Sequence, residues 1–167
     1  VKHQSAFETF LMPAIMPHAL AYVFKKELLR IPFFGWSIGS LDMIHINRKD
    51  GSRAFHKVVE QGKRLIQQGM WVIMFPEGTR NKGDVPQPFK SGIYHLAKRF
   101  PHVEFIPVYL ENLSRIMPKG EFWPVPLACT ARFGTPLYLQ EGEEKEAFLE
   151  RARQGVMDAC AQKSASN

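Results

Sequence analysis

At 167 residues the chain is long enough for one domain with a real core and short for two, and one domain spanning 1–167 is expected. Its 45% hydrophobic and 23% charged residues argue against disordered, collagen-like and membrane-spanning classes. A formal charge of +6 points to an anionic partner: phosphate groups, nucleic acid or an acidic lipid surface.

Taken in chain order, Ser5-Ala6-Phe7-Glu8 matches the S-x-x-E capping box and predicts a helix from Ser5 to near Pro13, with His3 just ahead of it. The run "LAYVF" at 20–24 suits a buried strand. In "KKELLRIPFFGW" a short helix and a turn are expected, because Pro32 and Gly35 break anything longer. "MIHI" at 43–46 is a second strand, and the apolar positions Ala54, Phe55, Val58, Val59, Leu65 and Ile66 predict an amphipathic helix that ends near Gly69. "MWVIMF" at 70–75 follows as a fully apolar strand that stops at Pro76, far short of the roughly 20 residues a membrane-crossing helix needs.

Ile93, Leu96, Ala97 and Phe100 mark another helix, and "VEFIPVYL" at 103–110 another strand, with Pro107 at an edge or bulge. The stretch 112–126 reads as a loop, "LACTARF" at 127–133 as a strand, and Phe148, Ala152, Val156 and Cys160 as the stripe of a closing helix. Alternating strands and helices predict an α/β fold, a largely parallel mixed sheet covered by helices on both faces.

Two short motifs could carry chemistry. His3 and Glu8 are five residues apart, about 500 degrees on a continuous helix, and would not share a face. If His3 precedes the cap and Glu8 lies in the first turn, the carboxylate can reach back to the imidazole, fix its tautomer and leave the other nitrogen as a general base. The competing reading keeps Glu8 as the capping partner of Ser5 alone. "FPEGTR" at 75–80 falls after an apolar strand, where open α/β sheets bind ligands. Gly78 would let backbone approach an anion, Thr79 offers a hydroxyl and Arg80 a planar fork for phosphate oxygens. An ordinary polar turn with a surface arginine is the alternative. Lys25 or Lys26, Arg48, and Lys90 in "PFKSG" follow or face strand ends and could join such a cradle.

Other chemistries lack their motifs. No H-E-x-x-H or Cys/His cluster is present, so no metal site is expected. No G-x-S-x-G elbow or P-loop occurs either. Cys129 and Cys160 have no redox or metal-ligand spacing and read as free thiols of a reducing compartment. No recognised nucleic-acid motif appears, and the aromatic residues read mostly as core.

Together "HQSAFE", "KKELLRIPFFGW", "FPEGTR", "PFKSG" and "IPVYL" resemble the 1-acylglycerol-3-phosphate acyltransferases, the family that makes phosphatidic acid. The likeness runs from about Val1 to Leu110, and F-P-E-G-T-R is matched at all six positions. The family's first signature is H-x-x-x-x-D, and Glu8 stands here in place of the usual aspartate.

The resemblance implies that His3 is the general base and Glu8 its orienting carboxylate. Glu77, Gly78 and Arg80 would form part of the acceptor site, with Arg80 on the phosphate. Lys25, Lys26 and Arg48 fall in the second block, and Pro107, an acyl-site candidate, in the fourth. It implies acyl transfer from an acyl-CoA or acyl carrier protein thioester to the sn-2 hydroxyl of lysophosphatidic acid, with no metal or prosthetic group. It further implies work at a membrane surface on the cytoplasmic face of the inner membrane, with a membrane-associating segment expected ahead of Val1. Two other readings stand beside it: an acyltransferase for glycerol-3-phosphate or another lysophospholipid, and a non-catalytic basic module that binds anionic lipid or nucleic acid.

Overall fold

The computed structural model describes residues 1–161 apart from residues 6, 31, 33, 42, 48, 49, 81–84, 119, 120 and 122. Arg48, a candidate phosphate ligand, lies outside the described residues. The chain divides into two compact units, one of residues 1–11 and 75–167, the other of residues 12–74. The first division falls inside helix α1 (Glu8–Ile15).

The unit of residues 12–74 is a parallel sheet with its crossover helix. Strands β1 (Leu20–Lys25), β2 (Ile44–Ile46) and β3 (Trp71–Ile73) run in the order β2-β1-β3, with Val23 opposite Ile44 and Leu20 opposite Trp71. Parallel neighbours need long connections, and α3 (Ser52–Gln67) supplies the one between β2 and β3. Its Val58, Val59 and Leu65 recur at helical spacing and are buried together with Ala21, Ile44 and Ile73 of the strands. Between β1 and β2 come a 3₁₀ turn (Lys26–Arg30) and a short helix α2 (Phe34–Gly39). Gly35, expected to break a helix, lies inside α2. A Cβ there would sit 2.2 Å from the carbonyl oxygen of Leu29, so the glycine admits the backbone of the 3₁₀ turn.

The other unit pairs β4 (Val108–Leu110) antiparallel with β5 (Ala131–Phe133), Val108 opposite Phe133. Helix α6 (Lys145–Ala161) packs on them and α4 (Gly92–Arg99) on α6, and α6 buries Phe148, Ala152, Val156 and Ala159. Both expected strands here are shorter than read. Pro107 cannot donate to a ladder, so 103–110 divides into β4 and a single bridge between Phe105 and Leu137. The Pro107 carbonyl accepts from the Gly134 N–H at 2.8 Å. The stretch 112–126, read as loop, holds a one-turn helix α5 (Leu113–Ile116) entered through Asn112 in the left-handed region, φ 66°. The α/β class stands, with its parallel strands in one unit and an antiparallel pair in the other.

Candidate active site

All of the geometry around His3 lies within the unit of residues 1–11 and 75–167. Residues 2–5 lead into α1 and are anchored at Lys2, Gln4 and Ser5. The Lys2 N–H donates to Val108 O at 3.2 Å, and the Ser5 hydroxyl donates to Met117 O at 2.7 Å. With the Gln4 amide oriented to satisfy both its ends, Nε2 donates to Leu110 O at 2.7 Å and Oε1 accepts from the Lys2 ammonium. That ammonium also lies over the Tyr109 ring, 5.8 Å from its centre. Lys2, Gln4, Ser5 and Glu8 are all buried.

His3 takes the other side of this segment. Its ring stacks on Phe75, centres 4.2 Å apart at 26°, and keeps 21% of its side-chain surface exposed. Nδ1 lies 2.6 Å from Glu8 Oε2. The second oxygen of the same carboxylate accepts the backbone N–H groups of Gln4 and Ser5, the latter at 2.7 Å. The capping and orienting readings of Glu8 therefore do not compete. One oxygen closes the helix start and the other holds the imidazole. A carboxylate faced by Nδ1 keeps its proton on that nitrogen, which leaves Nε2 as the lone-pair side. No described residue hydrogen-bonds Nε2.

"FPEGTR" forms the turn that meets this segment. Gly78 N donates to Phe75 O at 3.0 Å, with Pro76 and Glu77 between them, and Gly78 has φ 74°, a conformation that suits glycine. Glu77 points inward, 3% exposed, and accepts the His3 N–H at 2.9 Å. Its other oxygen accepts the Gln87 N–H at 2.9 Å. Thr79 and Arg80 are exposed, and the Arg80 guanidinium has no hydrogen bond or ion pair among the described residues. Lys90 is exposed as well, its N–H on Pro76 O at 3.0 Å, which ties "PFKSG" to the same turn.

The remaining candidates are described within their own units. Pro107 is buried, and a Cβ at Gly155 of α6 would come within 2.9 Å of its ring, so the ring packs against α6. Lys25 ends β1 and Lys26 opens the 3₁₀ turn in the other unit. There His45 is held below its ordinary pKa by burial first, then by the charges of Lys57 and Lys26. Among the described residues no three His, Cys, Asp or Glu side chains could together hold a metal ion.

Sequence reasoning missed Phe75 as the wall behind the imidazole and Glu77 as a tether of the His3 backbone. The available signal was the Pro-Glu-Gly order, which makes a turn and leaves the carboxylate at its centre.

A family profile described as Acyltransferase matches residues 1–111, two thirds of the chain. The chain belongs to the Acyltransferase family. Within it, the chain is 32% identical over 164 residues to the 1-acyl-sn-glycerol-3-phosphate acyltransferase of Pseudomonas aeruginosa, covering 96% of this chain and 62% of that protein. It is 32% identical over 119 residues to 1-acyl-sn-glycerol-3-phosphate acyltransferase alpha of Mus musculus, covering 71% of this chain and 41% of that one. The chain thus spans less than two thirds of either relative's length. Its fold matches the crystal structure of the 1-acyl-sn-glycerophosphate acyltransferase PlsC from Thermotoga maritima, with TM-score 0.75 at 20% identity, over 99% of this chain and 66% of that one.

Proposed function

We propose that the protein transfers a fatty acyl group from an acyl-CoA or acyl carrier protein thioester to the sn-2 hydroxyl of 1-acylglycerol-3-phosphate, giving phosphatidic acid. The observation that carries this reading is the His3–Glu8 pair, Nδ1 held at 2.6 Å with no described residue on Nε2, its backbone tied through Glu77 to the turn that carries the exposed Arg80. The names of the relatives support the choice of acceptor.

In the proposed step the acceptor hydroxyl gives its proton to His3 Nε2 as its oxygen bonds to the thioester carbonyl carbon. The tetrahedral intermediate then expels the thiolate, which takes the proton from Nε2. Glu8 Oε2 holds the Nδ1–H and stabilises the transient imidazolium. No acyl-enzyme and no metal or prosthetic group enters this scheme, because a thiolate leaves readily and alignment plus proton removal suffice. Gly78, Thr79, Arg80 and Lys90 are the proposed acceptor contacts, with Arg80 as the phosphate fork. From the second family block, Lys25, Lys26 and Arg48 join them as proposed contacts, and Pro107 stays the proposed acyl-site residue.

With an amphiphilic acceptor, the proposed site of reaction is a membrane surface, on the cytoplasmic face of the inner membrane. Among the described residues no helix is long and apolar enough to cross a membrane. The testing experiment supplies the full-length protein with labelled acyl-CoA or acyl carrier protein and a panel of acceptors. Phosphatidic acid formed from 1-acylglycerol-3-phosphate is the expected product. Acylation of glycerol-3-phosphate or a lysophospholipid in its place would move the assignment within the family, and transfer to none would overturn it.

A further inference from the structure

We infer that Glu77 is a positioning residue that clamps the backbone of His3, and not a ligand of the acceptor. The inference rests on the proposed reaction but names a different task for the central residue of the turn. Its side chain is 3% exposed, and each oxygen accepts a peptide N–H: His3 at 2.9 Å on Oε1 and Gln87 at 2.9 Å on Oε2. A buried carboxylate so engaged has no open face for a substrate hydroxyl, and an anionic acceptor gains nothing from approaching it. Two charge-assisted hydrogen bonds to peptide N–H groups are what such a group needs to remain buried.

The geometry around His3 explains what the clamp achieves. The ring has two freedoms, the path of its backbone and its side-chain torsions. Glu8 Oε2 on Nδ1 and the stacked Phe75 ring restrain the second. Among the described residues Glu77 alone accepts the His3 peptide N–H, from a position 74 residues away in sequence. Phe75 and Glu77 belong to one turn, closed by Gly78 N on Phe75 O, so that turn carries both the wall and the tether. Gln87 fastens the far side of the carboxylate, and Lys90 N on Pro76 O fastens the turn again. A base must sit within hydrogen-bond reach of the proton it removes, and small displacements are costly.

The experiment compares Glu77→Gln, Glu77→Asp and Arg80→Ala with the native full-length enzyme. An amide has one acceptor oxygen, so Glu77→Gln turns an NH₂ toward one of the two peptide N–H groups and loosens the clamp. The expected result is a kcat lowered about 100-fold at unchanged acceptor KM, the size a displacement of about 1 Å produces, with partial recovery in Glu77→Asp. Nuclear magnetic resonance supplies a readout independent of turnover. The His3 imidazole signals, assigned by their loss in His3→Asn, shift in Glu77→Gln and stay in place in Arg80→Ala.

A raised acceptor KM with kcat intact in Glu77→Gln would make Glu77 an acceptor ligand and overturn the inference. So would His3 signals and kcat that both match the native enzyme. If the native enzyme transfers no acyl group, the proposed reaction fails while the resonance comparison still judges the clamp. Should Glu77→Gln not fold, Gln87→Pro removes the second N–H and leaves the carboxylate in place. A smaller fall in kcat with the same shift of the His3 signals is then expected, and native values for both would refute the clamp.

Discussion

The histidine segment and the tip of the "FPEGTR" turn meet through Glu77 and are built in opposite ways. Along residues 2–8 each buried polar side chain has a partner: Ser5 on Met117 O, Gln4 on Leu110 O, Glu8 on three donors. Three residues beyond Glu77, Arg80 is exposed with no partner among the described residues. Buried, satisfied networks are rigid because any displacement strands a polar group at a cost of about 1–3 kcal/mol. An exposed arginine is free to adapt to its ligand. The contrast fits a division of labour in which a fixed base meets an acceptor held by a mobile cation.

The largest effects should come from the rigid side. His3→Ala is expected to lower kcat by about 10² to 10⁴, the usual contribution of a general base, with the acceptor KM little changed. Steady-state kinetics on the full-length enzyme decide it, and turnover near the native rate would end the assignment. Glu8 allows a finer cut, because its two oxygens have separate duties. Glu8→Gln keeps an oxygen for the Gln4 and Ser5 N–H groups but offers Nδ1 an amide, so part of the same rate loss is expected with a near-native melting temperature. Glu8→Ala removes both duties and should also cost about 1 kcal/mol of stability for the lost cap. If Glu8→Gln kept full activity, the orienting role would be gone and only the helix cap would remain.

These separations were only partly readable in advance. Helices α3, α4 and α6 announced themselves because their buried residues recur every three or four positions, as Val58, Val59 and Leu65 do. The His3–Glu8 contact was legible because both ends lie within one local motif, the helix start. What failed to show was set by long-range contacts. The antiparallel pairing of β4 with β5 joins residues more than twenty apart through a connection with no strand signal of its own. Gly35 looked like a breaker because its reason, the approach of the Leu29 carbonyl, is invisible in composition. Glu77 was expected at the acceptor site because the family resemblance implies it. Its inward rotation depends on a peptide N–H 74 residues away.

On the mobile side, the expected loss is smaller and falls on binding. A hydrogen bond to a charged group is worth about 1.5–3 kcal/mol, so Arg80→Ala should raise the acceptor KM roughly 10- to 100-fold while kcat at saturation changes little. Initial-rate measurements across acceptor concentration test this, and an unmoved KM would make Arg80 a surface residue. Arg80→Lys keeps the charge but loses the bidentate fork, and should fall between the two. If the lysine variant matched the alanine one, the planar geometry rather than the charge would carry the contact.

The smallest expected effect lies in the other unit and concerns stability, not turnover. His45 is partly buried, and that burial first, then the charges of Lys57 and Lys26, hold its pKa below 6.5 in the folded chain. The unfolded chain therefore binds a proton at pH values where the folded chain does not, so stability is complete above 6.5 and falls as pH drops through the window below it. Urea midpoints measured across this window should decline in the native protein and decline less in His45→Gln, which cannot gain the charge. Added salt screens Lys57 and Lys26, and should shrink the difference without abolishing it, because burial is the first cause and is not screened. A decline of equal steepness in His45→Gln would assign the acid sensitivity to some other group. A decline that salt removed entirely would put the lysines, and not burial, first.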